Sequence, residues 1–196
     1  MRVTYTSTNV DLDAFHAAFD GALEDLRREF GGRHLLLIDG DPVEGSADPL
    51  EDRMPADTSV LLGRFACAGQ AEVDRAVHGA RAAWRDWDRR GWPARVAILR
   101  RAAGLLRERK FRLGALMSVE VGKNRFEAMG DAEESADLID YYCRQLEDAN
   151  GYEREMARMT PVERNRSVLR PYGVFACIAP FNFPLALSAG MSSAAL

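Results

Sequence analysis

An α/β architecture, with a helical layer and hairpins leading into the first strand of a parallel sheet, follows from three features of the chain. The first is a short apolar run, Val174 to Ala179, closed by Pro180. An unalternating apolar run of that length is the pattern of a strand covered on both faces. Proline stops it because it has no N–H to give to the ladder. The second is Pro184 followed by Leu185 to Leu196, which reads as a proline-started apolar helix. The third is the stretch from Gln70 to Ala149, where apolar residues recur at three- and four-residue steps with glycines at the breaks. Asn182 thus falls where the carboxyl end of a strand meets the amino end of a helix, the place where open α/β sheets bind ligands. A lone strand–turn–helix leaves sheet edges and apolar faces uncovered, so the fold is expected to be incomplete.

Taken in order, Asn9 or Asp11 starts a first helix whose face is Leu12, Phe15, Phe19, Ala22, Leu26 and Phe30, and Gly31-Gly32 ends it. His34 to Ile38 reads as a strand, with Asp39-Gly40 as the hairpin turn into Asp41-Pro42-Val43. Glu44 to Thr58 is polar and reads as a loop, and Ser59 to Ala68 as a strand. Gly69-Gln70 opens a helix with Val73, Val77, Ala80 and Trp84 on one face. Gly91-Trp92-Pro93 breaks it, and Val96, Ile98, Leu99, Ala102, Leu105 and Leu106 form the core face of the next. A further helical stretch from Phe111 ends at Gly122, a natural left-handed terminator. Asn124, with Glu127 three residues on, gives a capping-box-like start to a helix reaching about Ala149. Its stripe is Ala128, Ala132, Ala136, Ile139, Cys143 and Leu146. Tyr152 to Leu169 is charged and aperiodic, with Ser167 to Arg170 a candidate strand.

Composition narrows the function classes. The chain has 196 residues, 47% hydrophobic and 29% charged, with formal net charge −4, long enough for a real core and too acidic for nucleic acid to be its main partner. The arginine clusters alternate with apolar residues at helical spacing and read as solvated helix faces. No apolar run approaches the roughly 18 residues of a membrane helix. Met1 to Thr6 has no hydrophobic segment of a secretion signal. Cys67, Cys143 and Cys177 lack paired or ligand spacing, which fits a reduced, cytoplasmic setting, with Cys143 and Cys177 as core residues. His16, His34 and His78 are isolated, so no metal site is expected.

By residue type alone, Asn182 is a turn or capping residue. The whole string says more. Pro171-Tyr172-Gly173-Val174-Phe175-Ala176-Cys177-Ile178-Ala179-Pro180-Phe181-Asn182-Phe183-Pro184-Leu185 resembles the signature segment of the NAD(P)-dependent aldehyde dehydrogenase superfamily, in which P-x-G-V leads through a hydrophobic strand into a P-[WF]-N-F-P corner. Glu120-Val121-Gly122-Lys123-Asn124, Glu127-Ala128 and Asp131 to Tyr142 are similar, more narrowly, to the bacterial branch of 1-pyrroline-5-carboxylate dehydrogenases, which oxidise L-glutamate γ-semialdehyde. The likeness covers nearly the whole chain, loosely between Tyr152 and Arg166.

The resemblance implies an amino-terminal part of that fold, with a helical and hairpin portion at 1–151, oligomerisation strands at 152–171, and the first strand–turn–helix of the nucleotide-binding sheet at 172–196. It implies that Asn182 stabilises the oxyanion formed from an aldehyde. It also implies that Ile178, Ala179, Pro180 and Phe181 lie along the nicotinamide ribose of NAD, although no G-x-G-x-x-G fingerprint is present. Glu134 stands about ten residues into its helix, where the dipole effect that accounts for Glu127 and Asp131 has faded. Its residue context allows a plain solvent-facing acid beside Glu133. The resemblance places it on the acid that meets the substrate's amino group, with Phe183 beside the substrate's aliphatic chain. The family's nucleophilic Cys, its Glu base and its adenosine-ribose Lys match nothing here, so the chain alone is expected to be inactive and the parent protein to be a homo-oligomeric dehydrogenase. Oxidation of another aldehyde, or a non-catalytic structural role, stand as alternatives.

Overall fold

The computed structural model describes residues 11–196. Asn9 and the Met1–Thr6 stretch lie outside the described residues. Helix α1 (Leu12–Arg27) begins at Asp11, whose carboxylate accepts the N–H of Ala14 at 3.1 Å. Phe15, Phe19 and Leu26 are buried as the helical spacing requires, packing with Leu62, Ala115, Val119 and Met129.

Strand β1 (Gly32–His34) then pairs parallel with β5 (Leu61–Cys67), and β4 (Ala47–Arg53) pairs antiparallel on the other side of β5, giving the order β1-β5-β4. The continuous strand expected from His34 to Ile38 is therefore divided. Its second part, β2 (Leu36–Ile38), forms a separate hairpin with β3 (Asp41–Val43). Asp39 and Gly40, at φ 59° and 88°, both take the left-handed conformation that a tight two-residue hairpin turn demands. The loop expected over Glu44–Thr58 contains β4, an exposed edge strand rich in acids and arginine whose polarity hid it.

Helix α2 (Gln70–Arg89) starts where Glu72 accepts the N–H of Gly69 at 2.7 Å and the hydroxyl of Ser46 at 2.6 Å. It buries no residue; Val73, Val77 and Trp84, expected on a core face, are exposed. Helix α3 (Trp92–Glu108) enters through Gly91 at φ 73° with Pro93 in its first turn. It packs Val96, Leu99 and Ala103 against Ala136, Ile139 and Cys143 of α5 (Arg125–Asp148). Arg100 and Arg107 of α3 bridge to Asp137, Asp140 and Glu147 along the same seam. Helix α4 (Lys110–Val121) stops at Gly122, φ 74°, and Asn124 caps α5 by accepting the N–H of Glu127 at 2.9 Å. Both helix boundaries match the sequence signals. Ala128, Ala132, Ala136, Ile139 and Cys143 form the buried stripe of α5 as expected.

After α5 a single 3₁₀ turn (Asn150–Tyr152) leads into a short antiparallel hairpin, β6 (Glu153–Glu155) with β7 (Arg166–Val168). The expected buried strand at Val174–Ala179 is not formed. The stretch forms no helix or strand, Cys177 is exposed, and Ile178 is 84% exposed. A parallel strand holds its shape only through neighbours on both sides, and none of the described strands lies beside it. Helix α6 (Ala186–Ala195) follows Pro184 and packs along α5, with Gly190 against Leu138.

Between α4 and β4, Glu120 is half-buried near Asp52. Burial pushes the Glu120 carboxyl above its ordinary value and the Asp52 charge adds to the rise; Asp52 itself is raised by burial, partly offset by the Arg53 backbone N–H. A carboxyl raised on folding contributes stability that is complete below its ordinary pKa and is lost as pH rises through the folded value. Glu120→Gln is thus expected to gain melting temperature relative to the parent chain as pH rises from about 4 to 7. Thermal denaturation across that range checks this; a difference independent of pH contradicts it. In the core, Phe19→Ala is expected to cost about 3–5 kcal/mol in denaturant unfolding.

Candidate functional site

The corner between the unpaired 174–179 stretch and α6 is built from its carboxyl-terminal side. Pro184 and the start of α6 set the direction, and Phe183 O accepts the N–H of Leu187 as the helix forms. An open cleft of about 330 Å³ lies in front of it, lined by Val121, Gly122, Lys123, Glu127, Phe181, Asn182 and Phe183. The exposed Asn182 therefore faces a concavity, with the α4–α5 turn on the opposite wall.

One anionic and one cationic side chain, Asp131 and Lys123, hold this corner to α5. Asp131, with no exposed surface, accepts the N–H of Ala186 through Oδ1 at 2.8 Å and the ammonium of Lys123 through Oδ2 at 2.6 Å. Lys123, whose side chain is 11% exposed, lies with Nζ 4.0 Å from the centroid of the Phe183 ring, a cation–π contact. Two residues further along α5, Glu133 is buried against Lys110 at 2.6 Å. The sequence pattern assigned Asp131 to the dipole of its own helix and gave Glu133 no role. Both are instead buried ion-pair partners, and Asp131 serves the amino end of a different helix, 55 residues on.

The structure brings Phe181, Asn182 and Phe183 together at the cleft. Ile178 and Phe181 are 84% and 81% exposed, and Ala179 and Pro180 continue the same stretch, so the four positions form an apolar approach to the corner. Glu134 is half-buried on α5 and is not among the residues lining the cleft. It stands seven positions after Glu127, hence on the same helix face and about 10 Å along the axis. Sequence reasoning missed Lys123, Asp131 and the lining role of Glu127. A capping signal explained Glu127, and no local pattern marks a salt bridge across a turn. Among the described residues no cluster of three or more His, Cys, Asp or Glu could hold a metal, and no helix is long and apolar enough to cross a membrane.

A model of the aldehyde dehydrogenase family matches residues 43–196. The chain belongs to the aldehyde dehydrogenase family. It is 38% identical over 190 residues to a 1-pyrroline-5-carboxylate dehydrogenase of Geobacillus thermodenitrificans, covering 96% of this chain and 36% of that relative. A second, from Halalkalibacterium halodurans, is 33% identical over 187 residues, with 95% and 36% covered. The chain thus spans about a third of the length of these aldehyde dehydrogenase relatives. A solved Thermus 1-pyrroline-5-carboxylate dehydrogenase with bound NAD superposes with TM-score 0.88 at 34% identity, over 98% of this chain and 37% of that one. Proline utilization A from Bdellovibrio bacteriovorus superposes with TM-score 0.86 at 25% identity, over 92% and 19%. The fold is accordingly the amino-terminal part of the aldehyde dehydrogenase fold, incomplete relative to the full protein.

The wall opposite Asn182 depends on Gly122 at φ 74°, where a Cβ would meet no atom within 4 Å. A substitution there is penalised by backbone strain alone. Gly122→Ala is expected to lower unfolding free energy by about 1 kcal/mol, and Gly122→Asn by less, because Asn tolerates the left-handed region. Equal losses for the two variants in chemical denaturation contradict this.

Proposed function

We propose that this chain is the amino-terminal portion of an enzyme that oxidises L-glutamate γ-semialdehyde to glutamate with NAD+, a step of proline breakdown. The observation that carries the reading is the Pro180–Pro184 corner, where Asn182 lines an open cleft. The identity of 33–38% to 1-pyrroline-5-carboxylate dehydrogenases along nearly the whole chain supports the choice of substrate.

In this reading the carboxamide N–H of Asn182 donates to the oxygen of the aldehyde as a thiolate from the remainder of the protein adds to its carbon. A donor fixed in advance at the place where negative charge grows lowers the barrier because nothing need reorganise. Phe183, held at the cleft wall, packs beside the aliphatic part of the substrate, and Glu134 receives its ammonium group. The hydride acceptor would be supplied by bound NAD+, and water would then hydrolyse the resulting thioester to release glutamate and free the thiolate. The residues present fit one flank of such a group: Ile178 and Phe181 offer exposed apolar surface, and the 174–179 backbone is unpaired. Residues 178–181 would lie along the nicotinamide ribose. The β6–β7 hairpin would pair subunits through its free edges.

The experiment is expression of the complete coding sequence and measurement of NADH formation with glutamate semialdehyde and a panel of simple aldehydes. Asn182→Ala is expected to lower kcat by about 10²- to 10³-fold. Glu134→Ala is expected to reduce kcat/KM for glutamate semialdehyde by about tenfold or more while sparing a simple aliphatic aldehyde, since it removes a charge-assisted contact made only by the amino group. Equal loss for both aldehydes contradicts the role of Glu134, and full activity of Asn182→Ala contradicts the site. The 196-residue chain by itself is expected to oxidise neither.

A further inference from the structure

We propose that Asp131 and Lys123 form a positioning pair that holds Asn182 in register with the reacting aldehyde, acting through the Phe183 ring and the first amide of α6. The inference rests on the reading of Asn182 as oxyanion donor and extends it to Lys123 at the cleft wall and to the buried Asp131 behind it.

The direction of Asn182 depends on what fixes the corner. Downstream of Asn182, two contacts bracket the turn. One is Phe183, the next residue, whose ring lies under the Lys123 ammonium at 4.0 Å. The other is Ala186, whose N–H donates to Asp131 Oδ1 at 2.8 Å. Both contacts lead to one carboxylate, because Asp131 Oδ2 also accepts from Lys123 Nζ at 2.6 Å. Its negative charge satisfies an otherwise orphan amide at a helix start and complements the dipole there. It also fixes a flexible ammonium at one point over the ring. The base of the pair is rigid: Gly122 turns the chain at φ 74°, Asn124 caps α5, and Asp131 is fully buried in the second turn of that helix. Position is thus passed from α5 through Asp131 and Lys123 to Phe183, and from there to Asn182.

The test uses the full-length enzyme, with Lys123→Met, Asp131→Asn and each combined with Asn182→Ala. Lys123→Met keeps the apolar stem on Phe183 and removes the charge. It is expected to lower kcat about tenfold with KM changed less than about threefold, a loss confined to the transition state. In the Asn182→Ala background the same substitution is expected to change kcat by less than about twofold, since residues acting as one unit are non-additive. Backbone hydrogen exchange at Ala186 is expected to accelerate in Asp131→Asn. If that variant does not fold, Lys123→Met carries the test. Unchanged kcat in Lys123→Met, or a further tenfold loss when it is added to Asn182→Ala, overturns the proposal. An enzyme that oxidises no aldehyde refutes the proposed function instead, and Ala186 exchange then decides the clamp alone: acceleration supports it and unchanged rates overturn it.

Discussion

A single buried carboxylate joins the two parts of this molecule that carry its candidate chemistry. Asp131 projects from α5, the longest helix and the one against which α3, α4 and α6 all pack, and it accepts from both Lys123 and the first amide of α6. A carboxylate with no exposed surface is costly unless its lone pairs are used, and removing one member of a buried pair typically costs about 3–5 kcal/mol. The arrangement is therefore both expensive to break and directional. It fixes where α6 begins, and the turn before α6 carries Asn182. Lys110 and Glu133 repeat the motif one face over, so α5 is tied to its neighbours by two buried ion pairs as well as by an alanine-rich stripe. Small side chains on that stripe let the helices approach closely, which leaves little room for water to screen the pairs.

Features determined by local chemistry were legible in the sequence. The α1 cap at Asp11, the Asp39-Gly40 turn, the left-handed stop at Gly122 and the Asn124 cap each depend on one residue's backbone preference or side-chain reach. All are found where the pattern put them. The α5 stripe follows from helical period. The corner at Asn182 was legible for a different reason: a long, chemically unusual string that resembles a family segment, which periodicity could not have supplied.

What could not be read depended on distant partners. Asp131 sits early in a helix, where an acid needs no explanation beyond the dipole, and its true partner lies 55 residues away. Edge strand β4 is polar because both its faces are largely exposed, and so it lacks the alternation that marks a half-buried strand. The opposite error arose at Val174–Ala179 and on α2. Their apolar residues predict burial, yet Phe175, Ile178, Val73 and Val77 are exposed. Hydrophobic pattern reports what a segment is suited to pack against, and the structure shows whether that surface is present.

The account stands on a corner held from below by Asp131 so that an amide faces a reacting oxygen. A crystal structure of the complete protein with NAD and an aldehyde-derived adduct measures this directly. The account predicts Asp131 bridging Lys123 and the Ala186 N–H, with the Asn182 amide nitrogen about 3 Å from the aldehyde-derived oxygen. An Asn182 side chain folded back onto the amino-terminal amides of α6, with that oxygen bound elsewhere, would contradict it.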